Sequence, residues 1–298
     1  MTEDNKWLRA AHWLKTFANE TNIDLAVYGV CASQTSISKT GAHETPDAIR
    51  QALLRYSTYS WSQNIDLGEL VARDFGNNYH PDSPQGEDAT KRLAKQAKEN
   101  SKLAIALGGD NSVTFAAMAG AHDLSNAGLI TFDAHHDLRD GVSNGSPVRR
   151  LVEAGLPGNK IVQIGINDFS NSPQYAKLAK DLGILVITRD QLRRQTPQAT
   201  WQQAIDFLGD VESIHVDVDV DVCDRSVVPA CPAAAPGGIS ADELRQFALL
   251  AGKTNTVTSL DITEIDSTAD SDDQRTVRLA ALLILEAATG LALRDVKK

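Results

Sequence analysis

Seven short apolar runs, rich in β-branched residues, recur along the chain and predict β-strands. These runs cover residues 24–30, 103–107, 129–135, 161–166, 184–188, 213–222 and 257–263. The segments 45–56, 146–156 and 241–252 between them carry apolar residues three and four apart behind a capping residue or a proline, as amphipathic helices do. The alternation predicts an α/β fold of three αβα layers around a mostly parallel sheet of about eight strands.

The chain contains no internal repeat, no low-complexity tract and no segment with the composition of a linker. Residues 77–88, NNYHPDSPQGED, have the composition of a surface loop that precedes a helix. We therefore expect residues 1–298 to form a single domain.

Composition and charge exclude several classes of partner. The 298 residues include 29 basic and 39 acidic ones, for a net charge of -10, which argues against nucleic acid or an anionic membrane surface as the main partner. No apolar run approaches the ~20 residues that span a bilayer, and the first residues lack the apolar stretch of a signal peptide. We expect a cytoplasmic protein, in which an anionic substrate would require local arginines.

Three cysteines, Cys31, Cys223 and Cys231, are too few and too irregularly spaced to form a disulfide framework. We expect reduced thiols. Cys31 and Cys231 both follow predicted strands, so both are expected at one edge of the sheet. Whether they approach closely enough to pair stays open at this stage, because the sequence gives no distance between them.

Acidic residues and histidines cluster where four of the predicted strands end. Ligands bind at the carboxyl ends of parallel strands, so these side chains are candidates for one site. They are Asp110, Asp133, His135, His136, Asp137, Asp217, Asp219, Asp221, Asp224, Asp261 and Glu264. So many carboxylates at one edge would repel each other unless a cation lay between them. The pattern therefore predicts a metal site.

Side chains two residues apart on a strand share a face, so Asp133, His135 and Asp137 are expected to converge, as are Asp219 and Asp221. A lone aspartate is more often a helix cap, and a lone histidine a core residue, but the combination in one sheet favours metal binding. Mostly oxygen ligands with one imidazole suit Mn²⁺. Two ions that share carboxylates would activate water for attack on an electrophilic carbon.

Three motifs resemble the metal and substrate motifs of the arginase and agmatinase family of binuclear manganese amidinohydrolases. They are DAHHD at 133–137, DVDVDVCD at 217–224 and DITE at 261–264. The resemblance extends from Tyr28 to the C-terminus. Further segments, GGDNS, NGSPVRR at 144–150, INDFSNS at 166–172 and the stretch 223–238, are most similar to family members that hydrolyse N-formimidoyl-L-glutamate to L-glutamate and formamide in histidine degradation.

The resemblance implies a set of roles for the metal residues. Asp133 and Asp219 would bridge two Mn²⁺ ions, His135 and Asp221 would complete one ion, and Asp137 would serve the other and pass the proton. Much of the family has a histidine ligand where this chain has Asn111. An amide oxygen is a weaker ligand than imidazole, so the resemblance implies that one ion is loosely held.

The resemblance also implies the residues that bind the substrate. Glu264 would pair with the amidine nitrogens, and Arg139 would contact a substrate carboxylate at the rim, with Asn144 and Arg149 nearby. Simpler readings are a solvated strand-end acid for Glu264 and a solvated helix-start arginine for Arg149. The substrate would be a small dicarboxylate amidine, and the family implies a homo-oligomer, a trimer or a hexamer.

Two other functions stay open at this stage. A hydrolase of agmatine or a guanidino acid would use the same metals, but Arg139 does not suit a pocket for a cationic tail. A noncatalytic metal-binding relative is suggested by Asn111 alone, and it would bind metal without turning over an amidine.

Overall fold

The computed structural model describes residue 4 and residues 6–294, and within them a series of strands forms the central layer. The strands are β1 Lys15–Thr16, β2 Ile23–Val30, β3 Tyr59–Ser60, β4 Ile65–Asp66, β5 Ala72–Asn78, β6 Ser101–Gly108, β7 Ala127–Phe132, β8 Ile161–Ile166, β9 Leu185–Thr188, β10 Ser213–Asp219 and β11 Val257–Thr263. The seven predicted strands are all present.

The helices alternate with these strands, as the pattern predicts. They are α1 Ala10–Trp13, α2 Thr45–Ala52, α3 Pro84–Asn100, α4 Val113–Ala121, α5 Pro147–Glu153, α6 Pro173–Asp181, α7 Arg189–Leu192, α8 Pro197–Leu208, α9 Ala241–Lys253 and α10 Arg275–Ala292. Local sequence fixes several helix starts, because Ser83, Ser172 and Ser240 each accept a hydrogen bond from a backbone N–H in the first turn. Within the described residues, no helix is both long and apolar enough to cross a bilayer.

Nine strands form one sheet in the order β1-β5-β2-β6-β11-β10-β7-β8-β9, and every neighbouring pair is parallel. The prediction of a mostly parallel sheet of about eight strands is confirmed, with nine strands observed. The two additional strands are β1 and β5 at one edge. Strand β5 escaped prediction because its residues, ARDFGNN, are polar and mostly half-buried, so they carry no apolar run.

Two layers of helices cover the sheet, and alternate residues of each central strand face opposite layers. In β6, Leu103, Ile105 and Leu107 belong to the large core beneath α9 and α10, whereas Ala104 and Ala106 pack in a separate core with α3 and α4. The small alanine side chains let α3 and α4 approach the sheet closely. The result is the predicted three-layer αβα arrangement.

The order of the strands places the predicted site residues together. Strands β6, β11, β10 and β7 are consecutive neighbours, so their carboxyl ends bring Asn111, Glu264, Asp219 and Asp133 to one edge. The chain leaves β6 through α4 and enters β7, three places further across the sheet. A parallel sheet binds ligands where connections diverge in this way.

Strands β7 and β10 end earlier than the sequence pattern predicts, at Phe132 and Asp219 rather than at residues 135 and 222. Asp133 Oδ1 accepts a 2.6 Å hydrogen bond from the His135 N–H, and Asp219 Oδ1 accepts one of 2.8 Å from the Asp221 N–H. An aspartate that bonds the backbone two residues on forms a turn and ends a strand. These side chains therefore converge through turns and not through strand alternation.

Candidate active site

Asp133, His135 and Asp221 form the centre of the site, with ligand atoms that all lie within 4.8 Å of one another. His135 Nδ1 lies 2.7 Å from Asp221 Oδ2 and 3.5 Å from Asp133 Oδ1. Both aspartates are buried, whereas His135 is partly exposed. Three of the six residues predicted as metal ligands are thus brought together in one compact cluster.

Asp219 and Asp137 lie beside this cluster and line the same cavity as its members His135 and Asp221. Asp137 has a left-handed backbone, with a φ of 52°, and Glu264 has one with a φ of 63°. Positive φ is uncommon outside glycine, and such residues concentrate at functional sites. The turns after β7 and β11 therefore hold an unfavourable backbone geometry where the candidate site lies.

The carboxyl groups of the cluster make one another harder to ionise. Burial, followed by the charges of Asp137 and Asp221, raises the pKa of Asp133 well above its ordinary value. Burial and the charges of Asp221 and Asp133 raise the pKa of Asp219 in the same way. Burial alone would lower the pKa of His135, but the neighbouring carboxylates, led by Asp221, raise it to about 9. A cation bound between these groups would relieve their repulsion.

The donor set fits a divalent metal ion. Asp133 Oδ2 is buried and has no hydrogen-bond partner among the residues that the structure describes. Buried polar atoms are almost always paired, so an orphaned oxygen on a carboxylate that Asp137 and Asp221 already repel fits a bound cation. Carboxylate oxygens with one imidazole nitrogen are the ligand class that suits Mn²⁺.

Asn111 is oriented differently from the metal ligand that the sequence predicts. Its side-chain NH₂ donates a 2.7 Å hydrogen bond to Asp137 Oδ2, while its Oδ1 accepts from the hydroxyls of Thr114 at 2.9 Å and Thr263 at 2.7 Å. The amide oxygen is therefore fully engaged and turned toward hydroxyl donors. In this geometry Asn111 orients Asp137, which lies beside the cluster, and both hydrogen bonds to its own oxygen come from hydroxyls.

Glu264 is held at the mouth of the cluster by two donors. Its Oε1 accepts hydrogen bonds from the Asn111 backbone N–H at 2.8 Å and from Asn144 Nδ2 at 2.7 Å. Burial raises the pKa of Glu264 to about 8, against the lowering effect of these donors. The side chain is buried and lines the cavity, so the reading of Glu264 as a solvated strand-end acid does not fit.

A cavity of about 380 Å³ opens over the cluster. Its wall includes His135, Asp137, Asp219, Asp221 and Glu264 from the strand ends, together with Ile37, Ser38, His136, Leu138, Arg139, Asn144, Gly145, Ser170, Asn171, Ser172, Tyr175 and Ala233. Arg139 is the only arginine or lysine among these described lining residues. It is exposed at the rim, where the sequence analysis expects a carboxylate receptor.

Arg149 is not brought to this cavity. Its guanidinium lies 2.6 Å from Asp140 and 2.9 Å from Glu153, and it also donates to the Leu138 carbonyl. Residue 149 is in the first turns of α5, where the side chain turns to the surface. The simpler reading of Arg149, a solvated helix-start arginine, describes this geometry.

Two residues without a predicted role, Asn171 and Gln163, brace the DAHHD loop. Asn171 accepts a hydrogen bond from the His136 N–H and donates to the Ala134 carbonyl, both at 2.9 Å. Gln163 in β8 bonds both the ring and the carbonyl of His136. A glutamine inside the apolar run IVQIGI is the sequence signal that could have revealed this support, because buried amides require partners.

A ladder of buried polar side chains runs back from the site along β10 and β11. Asp217 Oδ1 accepts from the Thr114 hydroxyl at 3.2 Å, and Asp217 lies opposite Asp261 in the strand register. His215 bridges Ser259 Oγ at 2.6 Å and Asp261 Oδ2 at 2.9 Å. All five side chains are buried, and they link to the site through the Thr114 hydroxyl.

Comparison with known proteins agrees with this geometry. The sequence model of the Arginase family matches residues 23–290. A formimidoylglutamase of Halalkalibacterium halodurans is 38% identical over 282 residues, covering 90% of this chain and 87% of that protein. A formimidoylglutamase of Bacillus subtilis is 34% identical over 287 residues, covering 91% of this chain and 88% of that protein.

Solved structures match over nearly the whole chain. The crystal structure of formimidoylglutamase from Bacillus subtilis superposes with a TM-score of 0.93 at 31% identity, covering 99% of this chain and 95% of that one. The crystal structure of Trypanosoma cruzi formiminoglutamase with Mn²⁺ gives a TM-score of 0.83 at 25% identity, covering 92% of this chain and 95% of that one. The arginase-like αβα fold predicted from the sequence is confirmed.

Proposed function

The chain belongs to the arginase family, and from that premise we propose that it is a manganese-dependent hydrolase that converts N-formimidoyl-L-glutamate and water to L-glutamate and formamide. The relatives named formimidoylglutamase support the substrate, and the Mn²⁺ named with the Trypanosoma cruzi structure supports the metal. The step would belong to histidine degradation, as the sequence analysis expects.

One observation carries this proposal. A cavity opens over the cluster of Asp133, His135 and Asp221. Among the described residues that line this cavity, Arg139 is the only arginine or lysine. A carboxylate cluster fits a metal and the cationic amidine, whereas an arginine at the rim fits a carboxylate. One cavity thus offers complementary partners to both halves of an amidine dicarboxylate.

Asp133, His135, Asp137, Asp219 and Asp221 would hold the Mn²⁺, with two ions expected for each chain. When bound, the metal would supply charge stabilisation and would make water a stronger nucleophile at neutral pH. Asn111 supports this group indirectly, because its NH₂ fixes Asp137 Oδ2.

The residues of the chain bind, orient and move protons in the reaction. Glu264, fixed by Asn144 and the Asn111 N–H, accepts hydrogen bonds from the amidine nitrogens. The oxygen of water bonds to the formimidoyl carbon, and the bond from that carbon to the glutamate nitrogen breaks. Asp137 receives the proton of the water and returns it to the leaving nitrogen, which releases glutamate, while the carbon leaves as formamide.

We also infer a single catalytic domain in a cytoplasmic homo-oligomer, a trimer or a hexamer. The family resemblance supports the assembly. Three free, buried cysteines support a reducing compartment. Light scattering of the purified protein tests the assembly, and a monomer would contradict it.

The decisive experiment measures products from the purified protein with and without added Mn²⁺. We expect glutamate and formamide from N-formimidoyl-glutamate, and much less urea from arginine or agmatine. Comparable urea release would favour a guanidino hydrolase. Mn²⁺ binding with no turnover of any amidine would identify a noncatalytic relative.

A further inference from the structure

His136 is a buried residue of the cavity wall whose tautomer is fixed by Gln163. Gln163 Nε2 donates a 2.9 Å hydrogen bond to the His136 carbonyl, which can only accept. The other atom of the amide, Oε1, must then be the one that lies 2.7 Å from His136 Nδ1. Because Oε1 only accepts, Nδ1 carries the proton, and Nε2 of the neutral ring carries a lone pair.

Nε2 is left for a ligand. Among the described residues it has no hydrogen-bond partner, and residue His136 as a whole is only 4% exposed. His136 lines the cavity over the carboxylate cluster, so that small exposed edge faces the space where a substrate binds. The protein thus leaves an imidazole acceptor unpaired at the cavity wall, where a ligand can supply the donor.

The chemistry of that donor follows from the two ends of the substrate. A lone pair repels the carboxylates, which offer only acceptor atoms, and attracts the N–H groups of an amidine. We propose that His136 Nε2 accepts a hydrogen bond from an amidine N–H of the substrate, and that Gln163 is the positioning residue that fixes this acceptor. The inference rests on the proposed function for the identity of the substrate.

Two substitutions of His136 separate substrate binding from structural support. In His136→Asn the side-chain amide reaches about as far as Nδ1 of the histidine. It keeps the hydrogen bond to Gln163 but has no acceptor at the position of Nε2. In His136→Gln the amide reaches about as far as Nε2, so it keeps an acceptor and loses the bond to Gln163. A purely structural role predicts more damage from His136→Gln, whereas substrate recognition predicts more damage from His136→Asn.

The experiment measures dissociation constants on the Mn²⁺-loaded protein by calorimetry, with formamidinium as the amidine probe and glutarate as a dicarboxylate without N–H donors. We expect His136→Asn to weaken formamidinium binding roughly tenfold or more, the loss of a hydrogen bond to a charged group. Glutarate binding should not change. His136→Gln should retain most of the affinity for formamidinium.

The outcomes distinguish this inference from the proposed function. A parent protein that releases no glutamate from N-formimidoyl-glutamate would contradict the proposed function, whereas the order of the two variants decides the role of His136. Equal or greater loss in His136→Gln, or equal loss for glutarate, would overturn the inference. If His136→Asn does not fold, Gln163→Leu is measured in its place. Leucine cannot hold the proton of His136 on Nδ1, so we again expect weaker binding of formamidinium and unchanged binding of glutarate.

Discussion

Replacing Asp137 by asparagine should stabilise the metal-free protein while it weakens Mn²⁺ binding. Burial raises the pKa of Asp137 from 3.8 to about 7, with Asp221 adding to the rise and His135 opposing it. An asparagine keeps the shape, can accept from Asn111, and tolerates the left-handed φ of 52°. The change therefore removes a repelled charge and leaves the backbone undisturbed.

The sign and size of the effect follow from this pKa. A carboxyl whose pKa is higher in the folded state loses stability as pH rises from its unfolded value of 3.8 through its folded value of about 7. A rise of that size corresponds to about 4 kcal/mol at full ionisation, at 1.36 kcal/mol for each pKa unit. Asparagine does not titrate, so its advantage should be small near pH 4 and approach this limit at pH 8.

Urea unfolding with EDTA or with Mn²⁺, at low pH and at pH 8, provides the assay. In EDTA at pH 8 the variant should be more stable than the parent. Free Mn²⁺ at 100 times its dissociation constant should add about 2.7 kcal/mol to the parent and less to the variant. Asp224→Asn is a matched control that should lower the stability in EDTA at pH 8. Hydrogen bonds from Ser226 and Gly237 lower the pKa of Asp224, so its ionised form stabilises the folded state. A variant that is less stable than the parent in EDTA at pH 8 would refute the reasoning.

Three further changes test other parts of the site. Asp133→Ala and Asp219→Ala should each abolish activity and manganese retention, while Asp224→Ala keeps both; full metal content by elemental analysis in either of the first two would contradict their assignment as ligands. Arg139→Met should raise the KM for N-formimidoyl-glutamate roughly tenfold. Arg149→Met removes only surface ion pairs, so it should change this KM little. Equal effects on the KM would place both arginines in the same role. Gly109→Ala should destabilise the protein by roughly 3 kcal/mol in denaturant, since its Cβ would lie 1.9 Å from the Ala32 carbonyl oxygen and force apart the segments that follow β2 and β6; wild-type stability would show that these segments yield easily.

Much of the fold could be predicted because each central strand is buried on both faces. Runs such as LAIAL in β6 and IVQIGI in β8 have no other simple explanation, and their alternation with helices sets the parallel sheet. Strand β5 could not be predicted in the same way, since its half-buried residues include Arg73 and Asp74, which pair with Glu20 and Arg50. Its place depends on tertiary contacts that no local pattern encodes.

The sequence indicated the edge of the sheet where the site lies and most of the residues around its cavity, but it placed Arg149 there wrongly and gave no side-chain orientations. The DAHHD and DVDVDVCD motifs indicate a carboxylate cluster because so many like charges require a cation. Neither motif reveals that Asn111 turns its oxygen toward Thr114 and Thr263, because those residues come from α4 and β11. Nor does NGSPVRR reveal that Arg149 pairs with Asp140. Side-chain direction depends on the folded positions of such neighbours, whether they are three residues away, like Thr114, or 152 away, like Thr263.

The buried ladder beside β10 bears on how the sheet finds its alignment during folding. The segment VDVDVDV at 216–222 repeats every two residues, so a slip of two places would still put valine on valine and aspartate on aspartate. Hydrophobic burial alone therefore cannot choose between the alignments. The slip that moves Asp217 into the place of His215 would leave Ser259 and Asp261 without the imidazole that contacts both of them. The cost of leaving buried polar groups without that partner disfavours the slipped alignment, so one histidine removes the ambiguity of a self-similar strand.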